Sequence, residues 1–244
     1  MVPSRDIEVV VFDVLGTMVD ETGGLRAALR DAVPVSDEST VDQLLTEWRE
    51  HVEREQRRIG EGNRPYANTE MIDREAALRV ADRAALTDLA RIERLATAGQ
   101  RLKPWGDSLV VLTRLARWFP LMGLSNASRA ALSRLNAHAG LRWHQALSAE
   151  DARAYKPAPE VYRLAIAAAG CPPRSVLMVA AHAWDLRGAQ ALGMRTAYVQ
   201  RPVGDPPQES DSFDWRANSL YELADALTGA RSDAPAVGIL DPDG

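Results

Sequence analysis

The sequence of 244 residues holds a single cysteine, Cys171. That excludes an intrachain disulfide and a cysteine-cluster metal site. Lysine is almost as scarce. Of 29 basic residues only Lys103 and Lys156 are lysine, so arginine carries the positive charge and a lysine at a particular place calls for an explanation. No basic patch stands out against a net charge of −5, which argues against nucleic acid as a partner. No apolar run approaches the roughly 18 residues of a membrane span, which argues against a membrane partner. The N-terminus enters a strand-like segment almost at once, so no signal peptide is expected. These absences lead to the expectation of a cytoplasmic globular protein. Its 46% hydrophobic content suffices for one large domain, or one with a smaller insert.

What is present is a regular alternation. Five short apolar segments read as buried strands: 7–12, 121–124, 146–148, 176–179 and 196–199. Several lack a period of two, as parallel strands covered on both faces do. Helical patterns separate them. "SRAALSRLNAHAG" ends in glycine, and "APEVYRLAIAAAG" has proline near its start and glycine at its end. "DSLVVLTRLARW" and "AWDLRGAQALG" complete the alternation, which predicts a doubly wound α/β fold with a parallel sheet.

Residues 20–100 read differently, with helical patterns and no convincing strand. "STVDQLLTEWREHVEREQRRIG" predicts a long amphipathic helix opened by a capping box from Thr40 to Gln43. The expected organisation is an α/β core over 1–19 and 101–230, a helical cap over 20–100, and a loose tail over 231–244. An insert after the first strand lies beside the carboxyl ends of the strands, where open α/β sheets bind ligands.

Four short constellations stand out, three of them at or just past those ends. Asp13 closes the first apolar run and is followed by Gly16 and Thr17. An aspartate in a turn is ordinary, but a carboxylate at a sheet edge can also act as a nucleophile and form an ester. Ser125 and Asn126 end the second run, in "LMGLSNAS". They are also common loop and cap residues. "YKPAPEVY" holds Lys156, kept out of helix by Pro157, and Tyr162 within the helix that follows. A solvated lysine and a packing aromatic are the plain alternatives. "VAAHAWD" places His182, Trp184 and Asp185 just past the fourth run. There an aspartate can simply serve the helix dipole.

Taken in order (Asp, Ser-Asn, Lys-Pro, Asp, with a helical insert after the first) these motifs resemble the haloacid dehalogenase superfamily from residue 7 to about 226. The resemblance implies a Rossmann-like core with an all-helical cap. Most of the superfamily are phosphatases, with a second aspartate two residues after the nucleophile. It protonates a basic leaving group. Here that position is Leu15. Phosphatase members also hold Mg²⁺ with a carboxylate four residues before the position of Asp185, and here that residue is Ala181. The phosphonatase branch uses a cap lysine, and residues 20–100 contain none.

The chain resembles instead the hydrolytic (S)-2-haloacid dehalogenase branch, type II. A halide leaves without a proton, and neither metal nor cofactor is implied. By this resemblance Asp13 displaces halide from the α-carbon of a short 2-haloacid with inversion, and water then hydrolyses the aspartyl ester to a 2-hydroxy acid. Thr17 and Lys156 would hold Asp13, and Asp185 would orient Lys156 or the water. Ser125 would bind the substrate carboxylate. Asn126 and the cap's Arg49, in "EWRE", would face the halide. Tyr162 and Trp184 would line the pocket. Two departures stand out: Leu15, where an aromatic is frequent and pocket shape is set, and Ala180 with His182, where the family has "SN-AWD". Histidine is a candidate base for the hydrolytic step. The alternatives are a divergent phosphatase acting on a small phosphate ester, and a non-catalytic binder of a small carboxylate. The amphipathic helices also permit a homodimer.

Overall fold

The computed structural model describes residues 6–33 and 37–229, and the tail expected over 231–244 lies outside them. Six parallel strands form one sheet in the order β3-β2-β1-β4-β5-β6. They are β1 (Val9–Asp13), β2 (Leu121–Ser125), β3 (Gln145–Ser148), β4 (Val176–Ala180), β5 (Arg195–Val199) and β6 (Trp215–Ala217). The first five are those predicted. The sixth pairs with β5 at the edge, and its three residues alternate buried, exposed, buried. It is too short to show as an apolar run.

The chain steps from β1 to β2 and β3 on one side, then returns to lay β4, β5 and β6 on the other. The order therefore reverses next to β1, the position at whose carboxyl strand ends open α/β sheets bind ligands. Side chains alternate across a strand. Val10 and Phe12 join the core beneath α5 (Ser108–Leu115), α6 (Arg129–Ala139) and α9 (Leu220–Gly229). Val9 and Val11 join the core beneath α7 (Pro159–Ala169) and α8 (Ala183–Gln190). The same period sends Asp13 to the α7–α8 face. Both faces are buried, which is why the strands read as apolar runs without alternation.

The cap consists of α1 (Glu21–Ala32), α2 (Glu38–Gly60), α3 (Thr69–Arg83) and α4 (Leu89–Ala96). These helices bury their apolar stripes against one another in a separate cluster that includes Leu29, Leu44, Trp48 and Val80. The start of α2 differs from expectation. Asp37, not Thr40, is the N-cap, and its carboxylate accepts from the Thr40 backbone N–H at 2.8 Å. Both fit the local sequence, but the helix takes the longer span, with one further turn of hydrogen bonds.

Candidate active site

Asp13 sits at the carboxyl end of β1 with 6% of its surface exposed. Its Oδ2 accepts from the Thr17 hydroxyl at 2.6 Å and its Oδ1 from the Lys156 ammonium at 2.9 Å. Thr17 Oγ1 in turn accepts from the backbone N–H of Ala181, just past β4, at 2.9 Å. One hydroxyl thus ties the ends of two neighbouring strands together through the carboxylate.

Lys156 bridges two carboxylates, because its Nζ also donates to Asp185 Oδ2 at 2.7 Å. Asp185 is fully buried in the first turn of α8. Its other oxygen accepts from the Tyr162 hydroxyl at 2.7 Å. Burial alone would push the Lys156 pKa down, but Asp13 and Asp185 more than offset that and lift it. Burial pushes the Asp185 carboxyl up, against the pull of Lys156. Burial also lifts the Tyr162 phenol, so Tyr162 remains a donor. The Asp185–Tyr162 contact needs Gly188. A Cβ there would stand 2.5 Å from the Tyr162 hydroxyl oxygen. Gly188 was legible only as a glycine inside a helix pattern.

Ser125 ends β2 and is fully buried. Its Oγ accepts from the Ala127 N–H at 3.1 Å. Asn126 accepts from the Lys156 backbone N–H through Oδ1 at 2.9 Å, which leaves its Nδ2 as a donor. Thr17, Asp13, Lys156, Asp185, Tyr162 and Asn126 are therefore one connected set.

The remaining candidates surround it. The His182 imidazole closes on Gly16, where an added Cβ would lie 2.6 Å from Nε2, and Gly16 has a φ of +78°. Trp184 stacks on His182 with centroids 5.8 Å apart. His182 occupies the N-cap position of α8 but makes no side-chain cap bond. Asp205 caps instead, accepting from the Trp184 N–H at 3.0 Å, so the ring is not committed to the helix. Arg49 follows the buried Trp48 on α2, is half-buried, and donates to the Thr22 hydroxyl at the start of α1. Leu15 is half-buried, packs on the α5–α6–α9 side of the core, and brings no titratable group.

A supporting layer was missed from sequence. Arg201 donates to the Thr17 carbonyl at 2.9 Å and forms a two-pronged pair with Asp107 at 2.9 and 3.0 Å. The Trp105 indole donates to the Gly16 carbonyl at 3.0 Å. These bonds hold the backbone just after Asp13. They join segments far apart in the chain, so no local motif announces them.

Chemically, the arrangement offers a carboxylate fixed at the carboxyl end of β1 beneath the cap. Its counter-cation is supplied by lysine, and no carboxyl stands at position 15 to protonate a leaving group. Among the described residues no three His, Cys, Asp or Glu side chains are grouped to hold a metal ion. No described helix is long and apolar enough to cross a membrane.

Comparison with known proteins gives a consistent result. Residues 7–193 match the family model of haloacid dehalogenase-like hydrolases. An (S)-2-haloacid dehalogenase 4A of Burkholderia cepacia is 31% identical over 224 residues, covering 87% of this chain and 91% of that one. An (S)-2-haloacid dehalogenase of Pseudomonas sp. (strain YL) is 33% identical over 145 residues, 57% of this chain and 62% of the relative. Among solved structures, an L-2-haloacid dehalogenase superposes with a TM-score of 0.81 at 31% identity, over 91% of this chain and 99% of the other. The Xanthobacter autotrophicus L-2-haloacid dehalogenase with chloropropionic acid covalently bound gives 0.76 at 25% identity, over 93% and 100%.

Proposed function

We propose a reaction for this chain, which belongs to the haloacid dehalogenase-like hydrolase family: the hydrolysis of short (S)-2-haloacids to (R)-2-hydroxy acids through an ester on Asp13. The observation that carries this reading is a nucleophile held by Thr17 and Lys156 with an apolar Leu15 where a proton donor would stand. A leaving group that needs no proton fits such a site.

In the first step an Asp13 oxygen bonds to the α-carbon, the carbon–halogen bond breaks, and halide leaves with the electron pair. Inversion follows from in-line attack. The Ser125 hydroxyl oxygen already accepts from Ala127, so its proton is available to the substrate carboxylate. Arg49 and Asn126 face the departing halide. Tyr162 fixes Asp185, and Asp185 aims Lys156. In the second step water adds to the Asp13 carbonyl carbon while His182 takes one of its protons. Lys156 and Thr17 hold the negative charge that develops on the Asp13 oxygens. The product oxygen leaves with the proton from His182, and Asp13 returns to carboxylate by losing the other water proton to solvent.

The test is halide release from the separate enantiomers of 2-chloropropionate, with and without EDTA. The expected result is EDTA-insensitive release from the S enantiomer, with (R)-lactate as product. Asp13→Asn should lower the rate at least about a thousandfold. Phosphate release from a chromogenic ester with Mg²⁺, in the absence of halide release, would replace this reading with a phosphatase.

A further inference from the structure

Residues 126–128 connect β2 to α6, and each is fastened. Asn126 Oδ1 accepts from the Lys156 N–H at 2.9 Å. The Ala127 N–H donates to Ser125 Oγ at 3.1 Å, and the Ala127 carbonyl accepts from the Ser148 hydroxyl at 2.6 Å. Ser128 is the N-cap of α6, where its Oγ accepts from the Ala131 N–H at 3.1 Å. All of these partners belong to the core domain.

Two further bonds of Ser128 cross to the cap. Its backbone N–H donates to Thr69 Oγ1 at 2.8 Å, and its hydroxyl donates to Glu70 Oε2 at 2.9 Å. Thr69 and Glu70 open α3, and Thr69 and Ser128 are both buried. The Ala127–Ser128 peptide is one rigid plane. Its carbonyl is held by Ser148 from the core and its N–H by Thr69 from the cap. A tilt of that plane carries Ala127 with it, and the Ala127 N–H is what holds Ser125 Oγ. Thr69 therefore reaches the Ser125 hydroxyl through a single peptide unit. The effect belongs to the docked cap alone. With Thr69 Oγ1 removed, docking leaves a buried N–H without a partner, whereas an undocked cap leaves that N–H to water.

We infer that Thr69 is a positioning residue for substrate binding: through the Ala127–Ser128 peptide it sets the Ser125 hydroxyl that receives the substrate carboxylate, so the carboxylate site is complete only with the cap docked. This rests on the haloacid reading above, which gives Ser125 that part.

The test follows two readouts in the full-length wild type, Thr69→Val and Thr69→Ser. One is the binding of propionate, an unreactive carboxylate, by nuclear magnetic resonance titration. The other is halide release from (S)-2-chloropropionate. Thr69→Val should raise both the propionate Kd and the KM by about tenfold and leave kcat within about twofold. Thr69→Ser, which keeps the hydroxyl, should stay near the wild type. A purely structural role would lower the folded fraction, and with it the rate per milligram, without moving Kd or KM. A Ser125→Ala background separates positioning from docking of the cap as such. There Thr69→Val should weaken propionate by less than about twofold, because the residue through which it acts is gone. A full tenfold loss in that background, or an unchanged Kd and KM in Thr69→Val alone, would overturn the role of Thr69 and leave the haloacid reading standing. No halide release from the wild type would strike the haloacid reading instead, and the propionate arm, which needs no turnover, would still decide for or against Thr69. A wild type that neither releases halide nor binds propionate would remove both.

Discussion

At the scale of single residues, the centre of the molecule is one ammonium between two buried carboxylates. Lys156 keeps 5% of its surface exposed. Removing one partner of a buried ion pair costs about 3–5 kcal/mol, because the other charge is left uncompensated. Lys156→Ala should therefore lose stability of that order in urea melts, together with all halide release. The Lys156 pKa is lifted above its ordinary value. Its contribution is thus complete below the ordinary lysine value and is lost only as pH rises through the higher folded one. Stability owed to this group should be flat across neutral pH and fall in strong alkali. Asp73 behaves in the opposite sense. Its carboxyl titrates at about 8 in the fold against an ordinary 3.8. The unfolded chain ionises first, so this group costs stability progressively from about pH 4 to about 8 and by a constant amount above. Asp73→Asn should raise the melting temperature at pH 8 by several degrees and change little at pH 4. A pH-independent effect in calorimetry would contradict this. For His182 the expected outcome of substitution by alanine is slower ester hydrolysis by about 10²–10⁴-fold, with ester accumulating on the Asp13 peptide in mass spectrometry. Unchanged ester levels would remove His182 as the base.

Elements hold these residues in place. The segment after β1 is fastened by Arg201 and Trp105, and Arg201 is itself paired with Asp107, whose carboxylate also accepts from the Leu220 N–H at the start of α9. Arg201→Ala should destabilise the fold by about 3 kcal/mol or more and lower kcat through a less ordered Thr17, with hydrogen exchange of residues 14–19 rising. In the cap, Glu55 on α2 is 5% exposed and surrounded by Arg54, Arg58 and Arg64. Arg64 carries the network to Glu75 on α3. Burial would raise the Glu55 pKa, but these arginines outweigh it and lower the value. The stabilisation is present above the ordinary glutamate value and lost as pH falls through the lower folded one. The cap should therefore loosen in acid before the sheet does, a difference that hydrogen exchange by helix would detect.

At the scale of the whole molecule, the cap is docked over the strand ends. Thr69 Oγ1 accepts from the Ser128 N–H at 2.8 Å, Ser128 Oγ donates to Glu70 at 2.9 Å, and Tyr155 donates to the Ala67 carbonyl at 2.7 Å. All three join the start of α3 or the residues before it to loops beside the site. This docking leaves Asp13 almost without exposed surface. Opening of this docked cap to admit substrate is the expected motion. Tyr155→Phe should raise KM more than it changes kcat, since the closed state is weakened and the chemistry is not touched. A fall in kcat alone would argue against closure as the role of this contact.

The sequence by itself determined the architecture and offered the candidate set. Apolar runs at strand spacing, helix caps and a strandless insert suffice for an α/β core with a helical cap, because hydrophobic period and capping are local properties. Asp13, Thr17, Ser125, Asn126 and Asp185 stood at or just past the ends of those runs, Lys156 before the helix that follows the third, and all could be read in order. The plain alternative for Lys156, a solvated lysine, was removed only by the fold, which buries it between Asp13 and Asp185, whereas Tyr162 does pack in the core and also donates to Asp185. Asp205 as the cap of α8, Gly188 beneath Tyr162, and Arg201 behind Thr17 were likewise illegible. Each acquires its environment from segments tens to hundreds of residues away, and a one-dimensional pattern carries no information on which distant carboxylate a buried cation will meet. Burial and charge proximity are properties of the closed chain, and in this protein they decide which of the legible residues are joined in one connected set.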